Sequence, residues 1–229
     1  MKTVSKGMKL STATFEILKN FASLNSNILV KPGNRLTTVT PIKNVLAEAN
    51  VTETFETEFG IWDLNKFLGT LSLFDDPELE FHDKFVKIKG KGSSVKYYYC
   101  EPNLLTTTDK TIPVKDVVVE FDLTEKNFSD VRKAASVLGV SDLSITNASG
   151  TLSIIVFDKA DKGSNNYTVE LDTNIDVDDF DFHFKIETLK LMPGDYKVSI
   201  TKNTVSQFKH KSKDLTYFVA LERTSSYKG

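Results

Sequence analysis

Apolar and polar positions recur with a helical period twice in this chain and with a strand period almost everywhere else. From Leu10 to Leu24 the chain reads LSTATFEILKNFASL, and from Leu123 to Val137 it reads LTEKNFSDVRKAASV. Laid over each other without a gap, Leu10 meets Leu123, Ser11 meets Thr124, Phe15 meets Phe128 and Leu18 meets Val131. Lys19 then meets Arg132, Ala22 meets Ala135 and Ser23 meets Ser136, at a constant offset of 113 (128 − 15). On a helix of 3.6 residues per turn, Phe15, Leu18, Phe21 and Ala22 share one side, as do Phe128, Val131, Ala134 and Ala135. Ser11 and Thr124 stand where a hydroxyl can accept from a first-turn backbone N–H. The pattern predicts the same amphipathic helix twice, over 11–24 and 124–138.

The rest alternates. NILVK, RLTTV, VLAEANV, TLSLF, ELEFH, FVKIK and VKYYY follow the first helix; DLSITN, TLSIIVF, YTVELD, DFDFHFKI, YKVSI and LTYFVAL follow the second. These runs are short, rich in Thr, Val, Ile, Tyr and Phe, and bounded by Gly, Pro, Asn and Asp, which predicts strands. Phe180, Phe182 and Phe184 against Asp179, Asp181 and His183 mark a strand with one buried and one wet face. A weaker echo lies midway in each half. FGIWDLNKFLG carries a helical turn at about 63–67, and FKIETLKLMPG a counterpart at about 187–192, ended by Pro193-Gly194. Each half therefore reads helix, strands, short helix, strands. EPNLLTTTDKTIP, with Pro102 and Pro113, reads as an extended linker. The division predicted is an α+β domain over 1–110, with the linker at about 101–113, and a second over 114–229.

Composition narrows the class. With 40% hydrophobic and 26% charged residues in 229, the chain has the make-up of globular domains. A net charge of −2 does not announce a nucleic-acid binder by bulk charge and leaves local patches open. One cysteine, Cys100, excludes an intramolecular disulfide and suits a reducing compartment. No apolar run reaches membrane-spanning length, and MKTVSKG lacks the apolar core of a secretory signal, so a cytoplasmic location is expected and no membrane association.

Catalytic and metal motifs do not emerge. GKGSS at 90–94 lacks P-loop spacing and a following helix, and reads as a hairpin turn. Asp176, Asp178, Asp179 and Asp181 lack the glycine of a calcium loop and run into an alternating strand. His82, His183 and His210 show no paired-ligand spacing, and Cys100 reads as a structural thiol. No catalytic residue, metal or cofactor is expected.

What remains is the polar arc of the repeated helix: Thr12, Glu16, Lys19, Asn20 and Ser23, then Glu125, Ser129, Arg132, Lys133 and Ser136. A solvated helix face explains either arc alone. Keeping a cation at the same outward position in both copies, Lys19 and Arg132, points instead to a symmetric surface that meets a symmetric, negatively charged object.

Five stretches carry a resemblance in order and with similar spacing: MKLSTATFEILKNFASLNSNILV, DLNKFLGTLSLF, the IPV linker end, KLMPGDYKV and the closing YFVALE. Together, from Met8 to about Glu222, they resemble the sliding clamps of T-even-like bacteriophages, the DNA polymerase processivity factors. MKTVSKG and the closing SSYKG depart from that pattern.

The resemblance implies the DNA-clamp fold, an α+β architecture of two similar domains with helices packed on antiparallel sheets, closing as a homotrimer into a ring. Helices line the hole and sheets face outward. Duplex DNA passes through without sequence readout, no cofactor is used and no bond is made or broken. It also implies a DNA polymerase, an ATP-driven clamp loader and late-transcription factors as partners, in the cytoplasm of an infected bacterial host. Lys19, Asn20, Arg132 and Lys133 would then meet phosphates, with Lys66 and Lys190 of the short second helices as further candidates. A partner tail would sit between Ile112, Pro113 and Val114 of the linker and Val219 and Leu221 of the last strand. Two other readings stay open: a non-catalytic phage structural protein built from duplicated β-rich domains, and an enzyme with an unrecognised site.

Overall fold

Two helix starts, each tied down by a carboxylate from a distant part of its own unit, organise the fold. A computed structural model describes residues 7–147, 150–161, 163–171, 179–202 and 205–228. The chain divides into two units, Met1–Lys110 and Thr111–Gly229.

Unit 1 runs α1 (Thr12–Leu24), β1 (Ile28–Val30), β2 (Gly33–Val39), β3 (Val45–Phe55), β4 (Phe59–Ile61), α2 (Leu64–Leu71), β5 (Glu78–Phe81), β6 (Phe85–Lys89) and β7 (Ser94–Tyr98). Unit 2 runs β8 (Val117–Leu123), α3 (Glu125–Leu138), β9 (Asp142–Thr146), β10 (Ser153–Phe157), β11 (Tyr167–Glu170), β12 (Phe180–Lys185), β13 (Tyr196–Thr201), β14 (Val205–His210), β15 (Leu215–Ala220) and β16 (Ser226–Tyr227).

The duplication is visible in the pairing. In unit 1, β2 pairs with β3, β1 pairs with β4, and β1 packs beside β2. In unit 2 the order is β11-β10-β9-β12, so the strands after α3 repeat those after α1. Downstream, β5-β6-β7 is an antiparallel meander with Met8 bridged to Leu79 of β5. Its counterpart is β13-β14-β15, with β8 bonded to β13 where Met8 bridges β5. Gly60 of β4 is bridged by Cys100, just as β12 is paired by β16. The two repeated helices thus hold the same topological position.

Their starts are built alike. Ser11 caps α1, its hydroxyl accepting from the Thr14 N–H at 3.2 Å, and Thr124 caps α3, accepting from the Asn127 N–H at 3.1 Å. Glu53 of β3 adds a carboxylate to the first, accepting from the Ser11 N–H and the Thr14 hydroxyl. Asp195 does the same for the second, accepting from the Glu125 N–H at 2.8 Å. Negative charge belongs at a helix N-terminus. Partial burial pushes the Glu53 carboxyl up, but the bonds from Ser11 and Thr14 outweigh it and hold it below the usual value of 4.5. Since the folded value is depressed, its stabilisation is present above the unfolded value and disappears as pH falls through the folded one. Glu53→Gln is therefore expected to lower stability at neutral pH by about 1 kcal/mol, a charge-assisted bond discounted for partial exposure. Thermal unfolding of the two proteins should converge below pH 4.5; a gap that persists in acid would assign the effect to packing.

Three readings of the sequence are corrected. TLSLF is not a strand: Asp63 accepts from the Lys66 N–H at 2.9 Å and starts α2, which buries Leu64, Phe67, Leu68 and Leu71 at helical spacing. β4, β8, β14 and β16 are strands beyond those the sequence pattern predicts. The second short helix is only a 3₁₀ turn at Ile186–Thr188, so Lys190 lies outside it. The α conformation is disfavoured for Met192, which precedes Pro193.

The missing helix explains how the copies diverge. α1 packs against α2 as well as on β2 and β3, whereas α3 packs on β10 and β11. Ile17, Phe21 and Leu24 are buried in α1, while their counterparts are Asp130, Ala134 and Val137, the last 85% exposed. The GKGSS stretch is a turn, with the Gly90 N–H donating to the Ser93 carbonyl between β6 and β7. Asp176, Asp178 and residues 1–6 lie outside the described residues; Asp181 is in β12 and bonds Ser144 and His183. No helix among the described residues is long and apolar enough to cross a membrane.

Candidate nucleic-acid interface

Lys19, Arg132 and Lys133 are all exposed; Lys133 lies opposite the buried residues of α3, whereas Arg132 borders the buried stripe one turn after Phe128. Among the described residues no salt bridge engages them, whereas Lys126 of α3 pairs with Asp130 at 2.7 Å across one helical turn and is locally neutralised. Asn20 is half-buried, and its carbonyl accepts from the Ser23 hydroxyl at 2.6 Å. Lys66 is exposed on α2, and Lys190 is exposed on the segment between the 3₁₀ turn and Pro193. In unit 1 the structure thus brings Lys19 and Lys66 onto helices that pack together, and in unit 2 it sets Arg132 and Lys133 on α3.

Arg132 is held by a contact that the arc reading missed. Its guanidinium lies 5.8 Å from the centre of the Phe128 ring, one helical turn back. The spacing of four was legible; the stacking needed the side-chain geometry. Phe128 is 7% exposed, so a buried aromatic ring lies beneath an exposed cation. Beside it, α3 and the 191–194 turn enclose a cleft of about 320 Å³, lined by Ser129, Arg132, Lys133 and Ser136 on the helix side and by Met192, Pro193 and Gly194 opposite.

Tyr196, Tyr217 and His210 brace the opposite wall. The Tyr196 hydroxyl donates to the Met192 carbonyl at 2.7 Å, and the Tyr217 oxygen accepts from the Met192 N–H at 3.2 Å. Burial pushes both phenols far above their ordinary range, with Tyr217 adding to the rise at Tyr196, so they remain protonated. His210 is also buried. Its Nε2 lies 3.1 Å from the Pro193 carbonyl, while Nδ1 faces the Ser212 and Lys213 N–H groups, which assigns the donor hydrogen to Nε2. Gly194 has φ +137 and abuts the His210 ring, so a Cβ there would overlap the imidazole.

In the linker, Ile112 and Val114 are half-buried and Pro113 is exposed. Val219 is completely buried in β15, where its carbonyl accepts from Ser206, and Leu221 is 9% exposed. Among the described residues no group of three or more His, Cys, Asp and Glu is placed to hold a metal.

Comparison with known proteins assigns the family. Residues 9–114 match the family described as DNA polymerase processivity factor, and residues 120–223 match gp45 sliding clamp, C terminal. The chain is 35% identical over 221 residues to the sliding clamp of Vibrio phage KVP40, covering 94% of this chain and 99% of that one. It is 31% identical over 229 residues to the sliding clamp of Escherichia phage RB69, covering 96% and 99%. A. fulgidus PCNA, solved with the C-terminal region of FEN-1, shares the fold at TM-score 0.69 and 11% identity, covering 98% of this chain and 100% of that one. Two matched units of the clamp fold, an outward cation kept in both, and whole-length relatedness lead to one assignment: the chain belongs to the sliding-clamp family of T4-like phages, the DNA polymerase processivity factors.

Proposed function

We infer that three copies of this chain close head to tail into a ring around duplex DNA, with the polar arcs of α1 and α3 facing the double helix. The observation that carries this reading is the pairing of open edges with exposed cations. β7 ends the sheet of β5, β6 and β7 in unit 1, and β11 ends the sheet of β9, β10 and β12 in unit 2. Each presents a tyrosine, Tyr98 at 66% and Tyr167 at 38% exposure. Two different open edges on one chain favour a heterologous contact, which closes into a ring if the rotation per copy allows it and hides the edges from aggregation.

Cations on the inner arcs contact backbone phosphates, which carry no sequence information and so permit sliding. Retention then comes from topology, and the net charge of −2 is compatible with a locally basic hole. In this reading the clamp makes and breaks no bond and uses no cofactor. An ATP-driven loader opens and closes it, and the polymerase and late-transcription factors dock on it inside the infected host cell. Sedimentation equilibrium tests the ring directly: a species near three times 25.6 kDa is expected, and a strict monomer at high concentration would remove the reading.

Partner tails dock beside the linker. The support is the apolar step at Ile112 and Val114, half-buried among exposed neighbours, together with the FEN-1 C-terminal region bound by A. fulgidus PCNA. Replacing Ile112 and Leu221 by Ala is expected to weaken binding of the polymerase tail by at least ~1 kcal/mol, the level at which an interface residue matters. Titration of a labelled tail peptide reads the effect. Unchanged affinity in a folded double variant would move the docking site elsewhere.

A further inference from the structure

Each unit covers one sheet edge with a later stretch of its own chain, and the two covers differ in how they are held. In unit 1 the edge is β4, where the Cys100 N–H donates to the Gly60 carbonyl at 2.9 Å. The chain beyond it is locked. Leu105 is buried, the Thr106 N–H donates to the Asn27 side chain at 3.1 Å, and the Thr106 carbonyl accepts from the Asn25 side chain at 3.2 Å. In unit 2 the edge is β12, and its cover is the stretch 222–228, which contains β16. No side chain of 222–228 is buried, although Leu221 just before it is.

A short set of bonds to β12 holds this cover. The Glu222 N–H donates to the His183 carbonyl at 2.9 Å, and the Lys228 N–H donates to the Asp179 carbonyl at 3.0 Å. The His183 N–H donates to the Ser225 hydroxyl at 2.9 Å, and His183 Nδ1 lies 2.8 Å from the Thr224 hydroxyl. Asp181 faces Ser226 and Phe180 faces Tyr227 in antiparallel register. Most of the groups that β12 offers are main-chain atoms, which any extended chain in that register can satisfy. One side chain adds shape. The half-buried Tyr227 ring stacks 6.5 Å from the Phe182 ring at 15°, and the Lys202 ammonium stands 5.9 Å from its centre. Phe180 and Phe182 are buried, so Tyr227 rests on a ledge of rings at the rim of the core. The Lys228 ammonium lies 3.7 Å from Asp179, but both are exposed and the pair adds little. A two-residue strand with no buried side chain belongs to the part of a fold that opens locally at low cost.

We propose that 222–228 is a removable cover, and that the edge of β12 beneath it is a docking site for an extended partner peptide. The peptide adds as an antiparallel strand and places an aromatic ring where Tyr227 sits. The cover is then a built-in competitor: a partner's apparent affinity is its intrinsic affinity reduced by the fraction of molecules whose cover is open. The matching edge of unit 1 takes no peptide, because its cover is locked at Leu105 and Thr106. The site needs neither ring closure nor the linker step at Ile112, so its failure leaves both of those readings standing.

The probe is a fluorescent peptide with the sequence of 222–228, ERTSSYK. It is titrated by anisotropy into the full chain, into Tyr227→Ala, and into a variant that stops after Leu221. The shortened chain is expected to bind the probe about tenfold more tightly than the full chain, as when a cover is open in roughly a tenth of molecules, with Tyr227→Ala in between. A probe with alanine in place of its tyrosine should bind severalfold more weakly. A probe methylated at the Lys228 amide should lose binding, because it cannot donate to the Asp179 carbonyl. A peptide that keeps only the aromatic position, with threonine elsewhere, should compete with the probe. If it does not, the contact is specific to this chain's own strand and the partner reading falls. Equal binding of the probe by the folded full and shortened chains would overturn the β12 edge as the site. Amide exchange in the full chain gives a reading that does not depend on the shortened variant folding. The Glu222 and Lys228 amides should exchange much faster than those of β9, and exchange only at the rate of β9 would show a locked cover and overturn the proposal.

Discussion

Reversing charge at Lys19, Arg132 and Lys133 together, each to Glu, is expected to abolish loader-dependent processive synthesis on a primed circular template without preventing folding or ring assembly. All three side chains are exposed and none takes part in a salt bridge among the described residues, so the isolated chain gives up little beyond the Arg132–Phe128 contact and the attraction between Lys133 and Asp130. Surface changes of this kind usually alter stability by less than about 0.5 kcal/mol. In a closed trimer every position occurs three times, and cation rings around a polyanion become acidic rings. A single neutralisation should do little, because exposed phosphate contacts are individually weak and screened. The triple reversal changes attraction into repulsion at each helix copy at once, and raising salt should restore part of the activity. If the variant trimerises and supports normal processivity at every salt concentration, the helix arcs do not meet DNA as inferred and their polar faces are merely solvated.

Placing Asp at Tyr98 and Tyr167 is expected to convert the ring to monomers. Both tyrosines stand on strands that end their sheets, β7 and β11, and Tyr98 is mostly exposed within its own unit. The monomer therefore keeps its core. The ring, however, would have to bury carboxylates with no partner at every interface. An uncompensated buried charge costs about 3 kcal/mol or more, which weakens each interface by roughly a hundredfold. Sedimentation should then give 25.6 kDa, and processivity should be lost in parallel because an open chain cannot be retained by topology. Replacing the same residues by Phe separates charge from shape, and the ring should persist. A trimer that survives both Asp substitutions would place the subunit contact on other surfaces, such as the one around Val137 of α3.

The repeated helix, its caps and its outward cation were legible in the sequence because each depends on residues within about two turns of one another. Ser11 and Thr124 reach backbone N–H groups three residues on, and the apolar stripes follow from helical spacing alone. Most strands were legible for a similar reason, since alternation is also local. TLSLF alternates as a strand does, but Asp63 caps α2, so Thr70 and Leu71 end that helix and 72–74 turn out of it.

Tertiary structure decided the rest. Pro193 is the one local sign that the second copy lacks an α2. Its loss shows in substitutions that make sense only once packing is known: Asp130 for Ile17, Ala134 for Phe21 and an exposed Val137 for Leu24. The cleft beside Arg132 likewise requires a turn some sixty residues away in the chain, held against α3's neighbourhood by Tyr196, Tyr217 and His210 from three different strands. Sequence by itself determined which residues face outward, because outwardness on a helix is a matter of period. Which of those outward cations has a wall opposite it was decided by long-range packing, because burial and enclosure depend on residues that sequence distance does not bring together.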